Sequence, residues 1–200
     1  SEMCIRDSIY VIDLTTKEVT NITNDIFSES SPSWSSNGEI IYFTSDRGQN
    51  TSTNSMYDVD FSQTDIFQYS YQTNTVSQIT NTEYNENYPV ASSDGNLFYT
   101  ADYNGITNIF KHNLSNNEAF PITNVVTGVQ QIDLDSSDNL VFSGFKKRGW
   151  DLYIMNNPNS FSEKEIKPTK FYANKNRSTD FEDLRTFTSK KVKLLSLIHI

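Results

Sequence analysis

The sequence predicts an all-β fold made of repeated four-stranded units. An Ile-Thr-Asn motif recurs at residues 22–24, 79–81 and 122–124, at steps of 57 and 43 residues. Asn-Gly or Asp-Gly pairs precede short apolar runs, which is a strong local signal for β-hairpins, and residues 9–157 show no sustained helical periodicity. Four-stranded units of about 40 to 50 residues are typical of propeller blades, so we expect a partial β-propeller of about three and a half blades.

Two further landmarks share this spacing. An acidic or amide residue followed by an aliphatic and an aromatic residue occurs at 65–67, 108–110 and 151–153. A proline-to-glycine run occurs at 32–38 and 89–95, with a degenerate copy at 136–139. The unit is therefore 43 residues long. One copy carries 14 extra residues between Gly48 and Asp65, and their polar composition predicts an extended loop.

Each unit has the same predicted order of elements. Runs rich in β-branched and aromatic residues at 40–44, 97–100 and 140–143 are predicted strands. A polar loop, a second strand with the acidic–aliphatic–aromatic landmark, a turn and a short strand ending in Ile-Thr-Asn follow. Most aromatic residues, including Trp34 and Phe43, are expected to form core between blades.

The two ends differ from the repeated region. Back-translation of residues 1–8 and 195–200 gives sequences that are reverse complements over most of their length and resemble a transposase adapter used in sequencing libraries. We interpret both as translated adapter, which removes Cys4 and His199 from functional consideration. The blades are predicted to occupy 9–157. Residues 158–194 are predicted to be a polar linker toward a missing downstream domain, with a short helix near 181–187.

The composition restricts the possible functions. The chain has 16 Lys and Arg against 25 Asp and Glu, a net charge of −9, and a pI near 4.6. Binding to nucleic acid or to an anionic membrane surface depends on basic charge and is not expected. No run of about 18 apolar residues is present, so no membrane span is expected.

No catalytic motif stands out. The chain lacks a Gly-x-Ser-x-Gly nucleophile elbow, a phosphate-binding glycine loop and a Cys-x-x-Cys pair. His112 is predicted to lie on a strand surface without a catalytic partner. Several aspartates lie near turns, where they bond their own backbone; whether they bind Ca²⁺ is left open. We expect no cofactor and no enzymatic activity from this chain.

The repeat resembles that of the TolB-type propellers, also described as WD-like repeats. The family pattern reads Pro-x-Trp-Ser-Pro-Asp-Gly, a strand, Ser-Asp-Arg, Asp-Ile-Tyr, a strand and Leu-Thr; residues 32–38 and 44–48 follow it closely. Ser36 and Asn37 depart from it, and Ala91 replaces Trp34 in the second copy. The resemblance covers about 9–157. It implies a non-catalytic protein-interaction module of the bacterial cell envelope, in the periplasm. The alternative is the substrate-gating propeller of a prolyl-oligopeptidase- or tricorn-like serine peptidase.

A protein partner is expected to bind one face of the blades. The connection between the second and third strands of each blade opens on one face, and the 14-residue insertion lies in one of these connections. The other two are 101–107 and 144–150. The candidate binding residues on this face are Asp46, Arg47, Asp102, Tyr103, Asn104, Lys146, Lys147, Arg148 and Trp150.

Overall fold

The computed structural model describes residues 8–48, 61 and 63–175. The described residues form thirteen short strands, a single-turn 3-10 helix at Pro158–Ser160 and one short α-helix. The strands are β1 (Tyr10–Ile12), β2 (Val19–Asn21), β3 (Glu29–Trp34), β4 (Ile40–Ser45), β5 (Asp65–Ser70), β6 (Thr75–Gln78), β7 (Glu86–Ala91), β8 (Asn96–Ala101), β9 (Asn108–Asn113), β10 (Glu118–Pro121), β11 (Val129–Leu134), β12 (Leu140–Lys146) and β13 (Gly149–Met155), and the helix is α1 (Lys170–Lys175).

These strands build four antiparallel sheets in chain order. Two sheets are complete four-stranded meanders, β3 to β6 and β7 to β10, while β1 and β2 form a two-stranded sheet and β11 to β13 a three-stranded one. The first strands of consecutive sheets are neighbours, since β7 contacts both β3 and β11. They are therefore the inner strands of adjacent blades. The predicted partial β-propeller is confirmed.

The turn between the first two strands of each blade follows the predicted chemistry. Gly38 and Gly95 adopt left-handed backbone angles, with φ of 72° and 83°, and their amides donate to the carbonyls of Ser35 and Ser92. In the degenerate copy Asp138 takes this conformation at φ 56°. Asp and Asn tolerate this region better than other residues with a side chain, so the turn survives without glycine.

The Ile-Thr-Asn motif has a structural role that recurs in three blades. The threonine hydroxyl accepts a hydrogen bond from the backbone amide of the neighbouring strand, from Ile9 to Thr23 at 3.0 Å and from Ile109 to Thr123 at 2.9 Å. The second copy repeats the bond between Ile66 and Thr80 at 2.9 Å. The motif therefore ends the outer strand and fastens it to the strand inside it.

The core consists of three apolar layers between neighbouring sheets. One layer centres on Ile9, Phe43 and Phe67, the next on Tyr42, Leu97 and Tyr99, and the third on residues that include Phe98, Ile109, Ile122, Val129 and Leu140. Side chains alternate between the two faces of each strand, so one strand feeds two layers. Trp34 does not belong to this core. It is 49% exposed, so its prediction as a core residue was wrong.

The segment after β13 packs back on the propeller. The amide of Lys164 donates to the carbonyl of Pro121 at 2.8 Å, and the amide of Thr169 donates to the carbonyl of Asn104 at 3.0 Å. These bonds hold residues 164–169 against the sheet of β7 to β10, within the stretch predicted to be a polar linker. We call residues 164–169 the returning segment. The predicted helix near 181–187, linker residues 176–194 and the adapter-like residues 1–7 and 195–200 lie outside the described residues.

Candidate functional site

The described candidate residues lie in connections at one end of the sheets. Asp46 and Arg47 follow β4, Asp102 to Asn104 follow β8, and residues 146–150 include the turn between β12 and β13. Each of these connections joins the second and third strands of its antiparallel sheet, so they all lie at the same end of the blades. Most of the 14-residue insertion lies outside the described residues, so its predicted position above this face stays a prediction.

Three of the nine candidates are buried, so their side chains offer little surface to a partner. Asp46 is 7% exposed, Arg47 2% and Asn104 3%. The Asp46 carboxylate accepts the backbone amide of Ser28 at 2.9 Å, which fixes the entry into β3. These side chains are occupied within the protein.

Arg47 is held by charge and by aromatic rings together. Its guanidinium pairs with Asp25 at 2.9 Å and with Glu29. It also lies 5.1 Å from the centre of the Phe27 ring, and close to the rings of Phe43 and Phe67. A desolvated arginine is stabilised by this combination of carboxylates and ring faces. Arg47 therefore anchors the connection after β4 to the blade.

Glu86 at the start of β7 is the repeat equivalent of Glu29 at the start of β3. Glu29 pairs in register with Ser45 at the end of β4, and Glu86 pairs with Ala101 at the end of β8. No arginine meets Glu86 among the described residues. The Thr82 hydroxyl donates to its Oε1 at 3.2 Å, and its Oε2 is buried without a partner. Burial raises the pKa of Glu86 to about 7.

Asn104 organises the connection between β8 and β9. Its side-chain oxygen accepts the amide of Ile106 at 3.1 Å, and its side-chain nitrogen donates to the carbonyl of Lys167 at 3.4 Å. The connection is further covered by Tyr172, whose Cβ lies 3.0 Å from the position a Cβ on Gly105 would take. Asn104 therefore links this loop to the returning segment.

Asp102 and Tyr103 lie nearer to solvent. The Asp102 carboxylate accepts the amide of Asn85 at 2.9 Å, as Asp46 does with Ser28 one blade earlier. Tyr103 is 38% exposed and meets Tyr84 edge-to-face, with ring centres 4.6 Å apart. Tyr103 thus offers part of a ring to solvent in a fixed orientation.

The other four candidates form a basic hairpin, defined here as residues 145–150. Lys147 and Arg148 have left-handed backbone angles, with φ of 48° and 72°, as a tight two-residue turn requires. Phe145 and Trp150 pair across the hairpin with ring centres 5.4 Å apart, and Trp150 is 53% exposed. Within the described residues no acidic side chain forms an ion pair with Lys146, Lys147 or Arg148.

One feature along the inner strands escaped sequence reasoning. Ser31, Tyr88 and Gln131 each adopt a left-handed backbone angle, with φ of 52°, 56° and 51°, where a β-bulge shifts the register against the next strand. Together they line a pocket of about 390 Å³ at the inner strands. Their spacing of 57 and 43 residues is that of the repeat, but the three side chains share no chemistry, so no motif marks them.

His112 offers no catalytic arrangement. It is 3% exposed, so its prediction as a strand-surface residue was wrong. Its Nε2 pairs with Asn117 Oδ1 at 2.9 Å, its Nδ1 has no partner, and burial lowers its pKa. The part of the chain that the structure describes holds no group of three or more His, Cys, Asp or Glu side chains that could bind a metal ion.

Comparison with solved structures identifies the fold. TolB from Acinetobacter baumannii matches with a TM-score of 0.57 and 20% identity, over 81% of this chain and 38% of that one. The putative TolB from Agrobacterium tumefaciens matches with a TM-score of 0.62 and 15% identity, over 76% of this chain and 54% of that one. The described blades form a TolB-like β-propeller. The chain thus spans about 38% to 54% of the length of these structures.

The same blades also resemble part of a peptidase structure. A puromycin-hydrolyzing peptidase from Mycobacterium tuberculosis matches with a TM-score of 0.51 and 10% identity, over 77% of this chain and 24% of that one. No protein-family model matches the chain, and no curated protein matches it. At these identities the likeness extends to the TolB-like fold alone.

The structure also bears on membrane insertion. Among the described residues, no helix has the length and apolar character required to cross a bilayer. The described helix α1 has six residues, and about 20 are needed to span the hydrocarbon core.

Proposed function

We propose that this chain is a non-catalytic, protein-interaction propeller module of a bacterial cell-envelope protein that acts in the periplasm. The TolB-like fold supports this proposal, and the basic hairpin is the observation that carries it. The partner we propose is a protein with an acidic and partly apolar contact surface, received at the end of the blades where this hairpin lies.

The chemistry of the basic hairpin suits such a contact. Arginine, tryptophan and other aromatic residues are enriched where binding energy concentrates at protein interfaces. Trp150 and Phe145 already pack against each other, so little side-chain entropy remains to be lost on binding. The three neighbouring cations stand out on a chain with a net charge of −9, and they would orient an acidic partner during its approach.

The test removes the charges and preserves the turn. In the triple variant Lys146→Gln, Lys147→Asn and Arg148→Gly, the central pair Asn-Gly keeps the left-handed turn. Lys17→Asn is the matched control. Lys17 also has a left-handed backbone angle, φ 63°, and lies in the connection between β1 and β2, at the other end of the sheets.

Pull-downs from a periplasmic extract, quantified by mass spectrometry, provide the measurement. We expect the triple variant to lose proteins that wild type and Lys17→Asn retain, and raised salt to weaken the wild-type capture. Equal recovery by all three proteins would show that the basic hairpin is not the binding site.

The second candidate is the gating propeller of a serine peptidase. The likeness of the blades to part of a peptidase structure supports it. The longer coding sequence separates the candidates, because an α/β-hydrolase domain with a nucleophile elbow would decide for the peptidase. A downstream region without such a domain would favour the envelope module.

A further inference from the structure

A cleft lies between the first two sheets, at the end of the blades opposite the basic hairpin. It has a volume of about 540 Å³. Its walls come from the hairpin of β1 and β2 and from the ends of β3 and β5. We call it the aromatic cleft and define it by Asp13, Glu18, Trp34, Tyr69 and Tyr71, which are among its lining residues. None of these residues belongs to the face of the proposed interaction.

One wall of the aromatic cleft is a group of three rings in fixed orientations. Trp34 stacks on Tyr71 with ring centres 5.6 Å apart and an angle of 18° between their planes. Tyr69 meets Tyr71 at 5.1 Å and 89°, and its hydroxyl donates to Asn74 Oδ1 at 2.9 Å. The rings therefore hold one another in place, while Trp34 remains 49% exposed and Tyr71 37% exposed.

The other wall carries negative charge. Asp13 and Glu18 line it, and the described lining includes no lysine, arginine or histidine. The backbone amides of Thr15 and Thr16 donate to Asp13 Oδ1 at 2.7 and 3.0 Å. These bonds lower the pKa of Asp13, so this carboxylate stays ionised well below neutral pH.

We propose that the aromatic cleft binds a small organic cation, a quaternary ammonium or a guanidinium group. Ring faces carry negative electrostatic potential and attract such cations, which is how aromatic cages recognise quaternary ammonium ligands. The two carboxylates also attract a cation, and they would repel an anion. A neutral sugar could stack on the same rings but would gain nothing from the charges, and the absence of a lining cation favours the charged ligand.

Trp34 provides a direct measurement of binding. The chain contains two tryptophans, so the full chain with Trp150→Phe reports on Trp34 alone. Choline chloride is titrated at constant ionic strength while Trp34 fluorescence is followed. Two uncharged probes are titrated in parallel: 3,3-dimethyl-1-butanol, which has the shape of choline without the charge, and glucose. L-Arginine amide tests the guanidinium arm.

We expect saturable fluorescence changes with choline or arginine amide. The uncharged probes should bind at least about fivefold more weakly, because a cation–π attraction of about 1 kcal/mol corresponds to that factor. Equal binding of choline and its uncharged analogue would overturn the proposal, since the cleft would then recognise shape alone. Binding of glucose in preference to either cation, or no saturable change with either cation, would also overturn it. This comparison uses the unaltered cleft, because Trp150→Phe lies in the basic hairpin at the opposite end of the blades.

Variants then locate the site. Asp13→Asn with Glu18→Gln removes both charges and keeps the acceptor oxygen that the Thr15 and Thr16 amides use. It should weaken cation binding by up to about fivefold, the factor expected for an exposed charge pair. Asp135→Asn is the matched control, because Asp135 accepts the amides of Ser137 and Asn139 in a similar turn of another blade. If both variants bind choline like the parent, the cation does not bind at the aromatic cleft and the proposal fails.

Discussion

Replacing Glu86 by glutamine is expected to stabilise the protein at pH 8 and to change its stability far less at pH 5. Glu86 is 1% exposed, and burial raises its pKa from 4.5 to about 7. Because this folded-state pKa lies above the unfolded value, the stability associated with protonated Glu86 is fully present below pH 4.5. It is lost as the pH rises through about 7. Glutamine resembles the protonated acid and cannot ionise.

The magnitude follows from the pKa difference. The difference between a pKa of 4.5 in the unfolded chain and about 7 in the folded protein corresponds to about 3 kcal/mol. Part of this loss has already occurred at pH 5. We therefore expect the advantage of Glu86→Gln over wild type to grow by about 2 to 3 kcal/mol between pH 5 and pH 8.

Urea unfolding followed by far-UV circular dichroism measures this difference at both pH values. Glu29→Gln is the comparison, because Glu29 holds the equivalent position but pairs with Arg47. Burial raises the pKa of Glu29 to about 7 as well, so the stability of Glu29→Gln relative to wild type should also rise from pH 5 to pH 8. Because Glu29→Gln removes a counter-charge of Arg47, this relative stability should lie below that of Glu86→Gln at both pH values. A difference between Glu86→Gln and wild type that stays constant from pH 5 to pH 8 would refute the reasoning.

Three further predictions concern packing and can be checked on the same protein. Phe43→Ala should lower the free energy of unfolding by about 3 to 5 kcal/mol, because Phe43 is fully buried. Trp34→Ala should lower it by less than half of that amount. Equal urea midpoints for the two variants would contradict this order. Arg47→Met should lower the free energy of unfolding by about 3 to 5 kcal/mol, because it leaves Glu29 buried with its charge unpaired. In a double-mutant cycle, adding Glu29→Met should recover most of this loss. Gly105→Ala should loosen the returning segment, because a φ of 82° is strained for a residue with a side chain and the new Cβ would lie 3.0 Å from the Cβ of Tyr172 in α1. Hydrogen exchange at residues 164–169 should accelerate, and unchanged rates would show that α1 is not held there.

The blades were predictable because their signals are local. Gly38 and Gly95 mark turns through their own backbone freedom, and the strands that follow them carry apolar residues in compact runs. Thr80 and Thr123 recur at the step of the repeat because each fastens an outer strand at the same point. Such features depend on a few neighbouring residues, so one sequence with an internal repeat is sufficient to identify them.

Burial at the candidate face was not predictable from the same signals. The run that contains Arg47 is polar and reads as a loop, but the partners that bury it, Asp25 and Glu29, lie 22 and 18 residues earlier in the chain. Trp34 shows the opposite error. Its repeat equivalent, Ala91, packs against the layer of the preceding sheet, whereas Trp34 faces the two-stranded sheet of β1 and β2 across the aromatic cleft.

The returning segment was missed for a different reason. Its composition is charged and poor in apolar residues, which is typical of a linker. Its attachment depends on backbone groups, through the amides of Lys164 and Thr169, and on side-chain amides that reach its carbonyls, such as Asn124 to Glu165 at 3.0 Å. Backbone hydrogen bonds leave no trace in residue composition, so only the folded chain reveals them.

The bulges at Ser31, Tyr88 and Gln131 give the three inner strands the same backbone shape but different side chains. All three blades bend the backbone at the same point, yet a hydroxyl, a phenol and an amide occupy that point. A substitution at one of these positions changes the side chain that lines the pocket at the inner strands, while the strand itself keeps its place. Duplicated blades can therefore diverge in recognition one position at a time, much as variable loops do on an immunoglobulin framework, while the duplicated scaffold is inherited unchanged.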